Sequence, residues 1–200
     1  MQTKNSVEKR YDWLMGADMY MAACIILCEE MLLTFSSSFP VLNITKRIDK
    51  QVGFTSANPD DEMLLPAVFN FKHGLELYLK VLVMAIKNLP TYKDEPPCHD
   101  LKSLIKKIRN LLKDKEMFES LNAVESIVDK YYYGSYAFVD KSDKNHPDKS
   151  NEAERYPERK NTSCYQIKNL ETIVSHDLLK TIIQDCRSAQ GQLRKMLMRY

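Results

Sequence analysis

One apolar stretch, residues 65–86, carries four side chains that can bind anions or move protons: Lys72, His73, Glu76 and Lys80. Residues three or four positions apart lie on the same face of a helix, so Glu76 is expected to lie between Lys72 and Lys80 on adjacent turns. His73 precedes Glu76 by three residues and belongs to the same group. A carboxylate between two cations and beside an imidazole can hold a phosphate or transfer a proton.

Two interpretations of this cluster remain open. In the first, Glu76 and its lysines form an ion-pair ladder on the surface, worth a few tenths of a kcal/mol per pair. In the second, the cluster lies in a groove, where burial would shift the pKa values of His73 and Glu76 and prepare them for proton transfer or phosphate contact. A structure in which the following residues converge on one cleft would favour the second: His73, Glu76, His99 and Arg155.

The same stretch resembles a known family. The run FNFKHGLELYLKVLV, residues 69–83, and the run HDLKSLIKKI, residues 99–108, resemble the second and third helices of HEPN domains, which are named after nucleotide-binding proteins of higher eukaryotes and prokaryotes. Arg155, Tyr156, Pro157 and Glu158 resemble the Arg-Tyr-Pro-acidic segment found after a tyrosine-rich helix end in many HEPN proteins. The resemblance covers about residues 7–200, with an insertion between Tyr136 and Glu154.

This resemblance implies a small up-and-down helical bundle, often a homodimer. It adds three residues to the candidate ligand-binding site, which then comprises Lys72, His73, Glu76, Lys80, His99, Arg155 and Tyr156. In this site the cations would hold phosphate and His73 or Glu76 would move a proton. Arg155 and Tyr156 have an alternative role as a structural anchor that returns a long loop to the bundle.

Many HEPN proteins are metal-independent ribonucleases with an Arg-x(4–6)-His pair, and this sequence lacks that pair. Lys141 and His146 have a similar spacing, but Pro147 and the polar surroundings predict a loop there. The leading hypothesis is therefore an RNA- or nucleotide-binding protein of a toxin–antitoxin or phage-defence system. Two alternatives are a non-catalytic interaction module that partners a nucleotidyltransferase-like subunit, and a divergent metal-independent ribonuclease.

Two further sets of charges have open interpretations. Lys102, Lys106, Arg109 and Lys113 repeat on one face of a helix, where they could contact successive phosphates or be an ordinary solvated face. Asp18 occupies a position of the first helix where an apolar residue is expected. It is predicted either to pair with Lys72, His73 or Lys80 across the bundle or to lie at an exposed edge.

The elements that position these residues are predicted to be helices. Apolar residues recur at spacings of three and four, as in Tyr11, Leu14, Met21 and Ile25 of the first helix. The predicted helices span about residues 6–35, 62–87, 99–112, 115–133 and 175–200, with Pro66 near the first turn of the second.

The predicted fold is an all-α, up-and-down bundle of about five helices, and residues 1–200 form a single HEPN-like domain. Gly134 is expected to stop the fourth helix, and residues 134–165 form a loop excursion before the last one. Its polar part, residues 140–151, has too few apolar residues to offset the entropy of ordering.

Composition excludes several classes of protein. The net charge of +2 gives no strong overall field toward polyanions or membranes. The apolar run from Met19 to Cys28 is far shorter than the roughly 20 residues of a membrane crossing, and acidic residues before it argue against a signal peptide. The five scattered cysteines fit a reducing cytoplasm. Cys98, Cys164 and the histidines lack zinc-site spacing, and no glycine-rich phosphate loop is present, so no metal or cofactor is predicted.

Overall fold

The computed structural model describes residues 4–36, 59–89, 92, 98–132, 134, 138–140, 165–167 and 175–200. These parts of the chain contain five helices: α1 (Lys4–Ser36), α2 (Pro59–Lys87), α3 (Leu101–Leu111), α4 (Lys115–Tyr132) and α5 (His176–Leu197). The predicted all-α helical bundle is confirmed. Among the described helices, none has the length and the apolar run that a membrane crossing requires.

Helix α2 is the central element, because it contacts α1, α3 and α5. Leu75, Leu79, Leu82 and Val83 are buried along its length, as its apolar periodicity predicts. Gly74 lets α1 approach closely. A Cβ atom at that position would lie 3.1 Å from the Cγ atom of Met21 on α1. This close packing of α1 on α2 places the neighbouring side chains of α2 near the protein interior.

The buried side of α1 differs in part from the predicted stripe. Met21 is buried as predicted, but Ala17, Cys24, Cys28 and Met31 complete that side. Tyr11, assigned to the apolar stripe, is 65% exposed, so this assignment is wrong. The periodicity of α1 fits more than one face, and its packing against α2 and α5 selects the face that contains Cys24.

Helix α2 starts earlier than predicted, at Pro59. Proline suits the first helical position, because its fixed φ angle is already helical and its missing N–H has no helical partner there. Pro66 consequently lies inside the helix and not in its first turn, which corrects the prediction. The side-chain amide of Asn70 donates a hydrogen bond to the Pro66 carbonyl at 2.8 Å.

The helix ends follow their sequence signals. The Asp100 carboxylate caps α3 by accepting hydrogen bonds from the Lys102 N–H at 3.1 Å and the Ser103 hydroxyl at 2.7 Å. The Ser175 hydroxyl caps α5 by accepting from the Leu178 N–H at 3.1 Å. After α4, Gly134 approaches the helix so closely that an added Cβ atom would lie 2.8 Å from the Lys130 carbonyl oxygen.

Two short strands lie in the predicted loop excursion. Strand β1 (Phe138–Asp140) pairs with β2 (Tyr165–Ile167) in an antiparallel ribbon, with Val139 opposite Gln166. The predicted excursion, residues 134–165, thus has a short strand near each of its ends. Aromatic and β-branched residues favour strands, but only pairing across the long insertion satisfies the backbone of such short segments. The polar residues 141–164 lie outside the described part of the chain.

Candidate functional site

The site is built around the Glu76 carboxylate, which α2 places inside the protein with 1% of its side chain exposed. Its Oε1 atom accepts a hydrogen bond from the Lys80 ammonium at 2.6 Å and lies 3.0 Å from the Nδ1 atom of His99. His99 comes from the segment that precedes the Asp100 cap of α3, so two separate segments meet at one carboxylate oxygen. The structure thus brings together Glu76, Lys80 and His99.

Lys72 and Lys80 are also buried, with 0% and 6% of each residue exposed. The exposed ion-pair ladder is therefore the wrong interpretation of this cluster. Aromatic rings face both cations. The Lys72 ammonium lies 4.7 Å from the ring centroid of Tyr132, and the Lys80 ammonium lies 5.1 Å from that of Tyr92. Aromatic faces stabilise desolvated cations, which is one reason why α2 can hold two buried lysines.

His73 borders the same carboxylate from the neighbouring turn of α2. Its Nδ1 atom lies 3.9 Å from the Oε2 atom of Glu76, and 20% of its side chain is exposed. The imidazole stacks on Phe69, with 5.6 Å between ring centroids, and meets Tyr20 of α1 edge to face at 4.4 Å. These contacts fix the plane of the His73 ring at the edge of the charged cluster.

The burial of these groups changes the roles that the sequence suggested. Lys72 and Lys80 are too deeply buried to contact a large ligand directly, whereas 45% of the His99 side chain is exposed. An ionised carboxylate only accepts hydrogen bonds, so His99 donates from Nδ1 to Glu76. Its Nε2 atom then carries a basic electron pair in the neutral imidazole and donates a hydrogen bond in the imidazolium. The arrangement can therefore orient a neutral imidazole for proton transfer or a protonated one for anion contact.

Tyr92 and Cys98 complete the surroundings of the cluster and were not identified from the sequence. Burial, together with the nearby Cys98 and Glu76, raises the pKa of Tyr92 to about 12. Burial also raises the pKa of the Cys98 thiol. Both groups are therefore protonated at neutral pH. The Tyr92 hydroxyl is buried without a hydrogen-bond partner among the described residues. The only signal for Tyr92 was an aromatic residue within a proline-rich loop.

The charges of the predicted basic face do not join this cluster, and Arg155 and Tyr156 lie outside the described residues. On the basic face, Lys102 pairs with Glu125 and Asp129 of α4, and Arg109 pairs with Glu125. The remaining two cations of that face, Lys106 and Lys113, are exposed. Half of the basic face is thus directed at carboxylates of the neighbouring helix.

The prediction for Asp18 identified the wrong partner. Its carboxylate accepts hydrogen bonds from the Tyr78 hydroxyl, from Gln190 Nε2 at 2.7 Å and from Arg194 Nη2 at 2.6 Å. These residues link α1 to α2 and α5, and none belongs to the Glu76 cluster. The partner was missed because Arg194 is 176 positions away along the chain.

The electrostatics of this second network follow from its contacts. Burial alone would raise the pKa of Asp18, but the hydrogen bonds from Tyr78, Arg194 and Gln190 outweigh it and hold the pKa below its usual value. Burial and the Asp18 carboxylate raise the pKa of Tyr78 to about 12. The Asp18 network is therefore a charged link between three helices that remains intact at neutral pH.

Fold and site together define an all-α helical bundle with a buried, charged cluster beneath a half-exposed histidine. Within the described residues, no group of three or more His, Cys, Asp or Glu side chains is arranged to hold a metal ion. The chain matches no protein-family model, no curated protein and no solved structure.

Proposed function

We propose that this chain is a HEPN-like helical bundle that binds the phosphate groups of RNA or of a nucleotide beside His99. The observation that carries the proposal is the contact of His99 with the buried Glu76, which lies between the buried cations Lys72 and Lys80 on α2. The buried part of the site thus contains two lysines and one carboxylate beside the imidazole. Cations in a region of low dielectric attract an anion more strongly than the same cations in water.

In this proposal the buried residues act through His99. Glu76 orients the imidazole, and Lys80 holds the carboxylate in place through its 2.6 Å hydrogen bond. His73 supplies a second, less exposed imidazole at the edge of the cluster. The exposed Lys106 on α3 and the exposed Lys113, two residues after the end of α3, extend the positive surface for a longer ligand.

The test is a titration of the full chain with labelled single-stranded RNA, and in parallel with ATP, at several salt concentrations. His99→Gln removes the ionisable group and is expected to weaken binding by about tenfold, since one charge-assisted contact is worth roughly 1.5 kcal/mol. His176→Gln is the matched control, because His176 is an exposed histidine at the start of α5. Equal affinities of the two variants and of the unmodified chain would refute the site.

The contact between His99 and Glu76 also favours the ribonuclease alternative, because a carboxylate-oriented imidazole can act as a general base. The same preparations therefore include total RNA incubated without added metal. Cleavage that His99→Gln abolishes and His176→Gln retains would make the chain an enzyme. Intact RNA after prolonged incubation would eliminate this alternative and leave binding alone.

A second candidate function is a non-catalytic interaction module that partners a nucleotidyltransferase-like subunit. It is supported by five large apolar side chains that are exposed on α1: Tyr11, Met15, Met19, Ile26 and Leu33. The HEPN resemblance further suggests a cytoplasmic homodimer in a toxin–antitoxin or phage-defence system. Sedimentation of the purified chain tests the dimer, and protection of cells from phage by the expressed chain tests the defence role.

A further inference from the structure

Helix α1 carries an apolar stripe on the side that faces away from the core. We call this set the α1 stripe: Tyr11, Met15, Met19, Ala22, Ile26 and Leu33, all of them exposed. The five large side chains are between 48% and 65% exposed. The stripe is about 33 Å long, since a helix rises roughly 1.5 Å per residue. Glu29 interrupts the stripe between Ile26 and Leu33. An apolar strip of this length commonly marks an interaction surface.

The spacing of the stripe indicates what covers it. Met15, Met19, Ala22 and Ile26 are separated by four, three and four residues, and Leu33 follows Ile26 by seven. Alternating spacings of three and four keep side chains on a narrow seam, which is the pattern by which one helix packs against another. Ala22 lies in the middle of the seam, where a small side chain lets a second helix approach closely.

The charges along α1 indicate the chemistry of the partner. Between Tyr11 and Leu33 the sequence contains four acidic residues and no lysine or arginine. Asp18 is engaged by Arg194 and Glu29 by Arg187, both from α5. Asp12 and Glu30 are exposed beside the stripe. The unneutralised charge next to the stripe is therefore negative, and a helix with lysine or arginine along its edges complements it.

A second copy of this chain fits the stripe less well. Two α1 helices packed in parallel bring Asp12 next to Asp12 and Glu30 next to Glu30, and the basic residues of α1, Lys4, Lys9 and Arg10, all precede the stripe.

We propose that the α1 stripe binds a basic amphipathic helix of a partner protein. This inference rests on the interaction-module candidate and does not depend on the phosphate site at His99. Apolar residues of the partner helix lie along Met15, Met19 and Ile26, and its lysine or arginine side chains reach Asp12 and Glu30. Apolar contact supplies the affinity, while the charges set the choice of partner.

The experiment titrates the full chain with three fluorescent helical peptides of about three heptads each. All three have leucine and isoleucine seams; one has lysine edges, one has glutamate edges, and one has the lysine composition in scrambled order. The lysine-edged peptide is expected to bind about tenfold more tightly than the other two, because the two exposed charge pairs at Asp12 and Glu30 together contribute roughly 1.4 kcal/mol. Its affinity should fall with added salt.

Variants locate the binding. Met15→Gln with Met19→Gln removes apolar contact while leaving helix propensity nearly unchanged, and is expected to weaken binding of the lysine-edged peptide by at least about tenfold. Met198→Gln is the matched control, because Met198 is an 88% exposed methionine just after α5. The double variant Asp12→Asn and Glu30→Gln should make the affinity for the lysine-edged peptide less dependent on salt concentration.

Three results would overturn the proposal. The first is equal affinity for lysine-edged and glutamate-edged peptides, and the second is no binding of the lysine-edged peptide. The third is a chain that forms a dimer, when the double variant Met15→Gln and Met19→Gln is a monomer. This result would assign the stripe to a second copy. None of these results depends on RNA binding, so the loss of the His99 proposal and the loss of this one are distinguishable.

Discussion

Replacing Glu76 by glutamine tests whether the charged cluster is truly an interior feature of the protein. Glutamine keeps the size of the side chain and can still accept a hydrogen bond from Lys80, but it carries no charge. Lys80, with 8% of its side chain exposed, would then be a buried cation without its carboxylate. The expected result is a large loss of stability in the folded state.

The magnitude follows from the geometry. At the 2.6 Å separation of the Lys80 and Glu76 atoms, Coulomb's law with an effective dielectric constant of about 20 gives roughly 6 kcal/mol of attraction. A hydrogen bond from Lys80 to the neutral glutamine retains about 1 kcal/mol of this attraction, and relaxation of the surroundings further reduces the stability that is lost. We therefore expect Glu76→Gln to reduce the free energy of unfolding by about 3–5 kcal/mol.

Glu29→Gln provides the matched control. Glu29 pairs with Arg187 at 2.8 Å, nearly the same distance, but 49% and 61% of the two side chains are exposed. Water and salt screen this pair, so its loss should cost less than about 1 kcal/mol. The two variants thus compare the same chemistry at the same distance and differ mainly in burial.

Urea unfolding followed by circular dichroism measures both losses, with the slope m checked to be unchanged. In a further variant, Lys80→Met in the Glu76→Gln background removes the uncompensated cation and should recover part of the stability. A loss for Glu76→Gln no larger than that for Glu29→Gln would show that the cluster is as hydrated as a surface ladder. The lysines near His99 would then be hydrated as well, and they would not strengthen the binding of an anion there.

Three other predictions concern the helix contacts. Tyr78→Phe removes the buried hydroxyl that donates to Asp18 and accepts from Arg194, and it should lower the free energy of unfolding in urea by about 2 kcal/mol. The control is Tyr200→Phe, which should lower it by less than about 0.5 kcal/mol. Among the described residues, the Tyr200 hydroxyl contacts only a methionine sulfur, at 3.7 Å. The pKa of Asp18 is lowered by folding, so its stabilising contribution is present above the unfolded value of 3.8 and disappears as the pH falls through the lower folded value. Asp18→Asn should therefore reduce the difference in stability between neutral and acidic pH, and an unchanged difference would contradict the assigned network. Gly134→Ala should destabilise the chain by about 1–3 kcal/mol in thermal unfolding, because the new Cβ atom would lie 2.8 Å from the Lys130 carbonyl oxygen; an unchanged melting temperature would contradict the close approach.

The sequence alone determined the features that depend on neighbours along the chain. The caps Asp100 and Ser175 depend only on local sequence, because a capping side chain bonds to a backbone N–H two or three residues away. The placement of Glu76 next to Lys80 was predicted because helix geometry places residues four apart on one face. Local spacing fixes such contacts whatever the rest of the chain does.

Only the tertiary structure decided which faces meet. The spacing of Lys72, Glu76 and Lys80 fits an exposed ladder and a buried cluster equally well, and their burial depends on the helices packed around α2. The bond between Asp18 and Arg194, and the ribbon formed by β1 and β2, join segments that are distant along the chain. Periodicity defines the possible faces of a helix, but long-range packing selects the one that is buried. That selection places the Glu76 cluster inside the protein and the α1 stripe outside it.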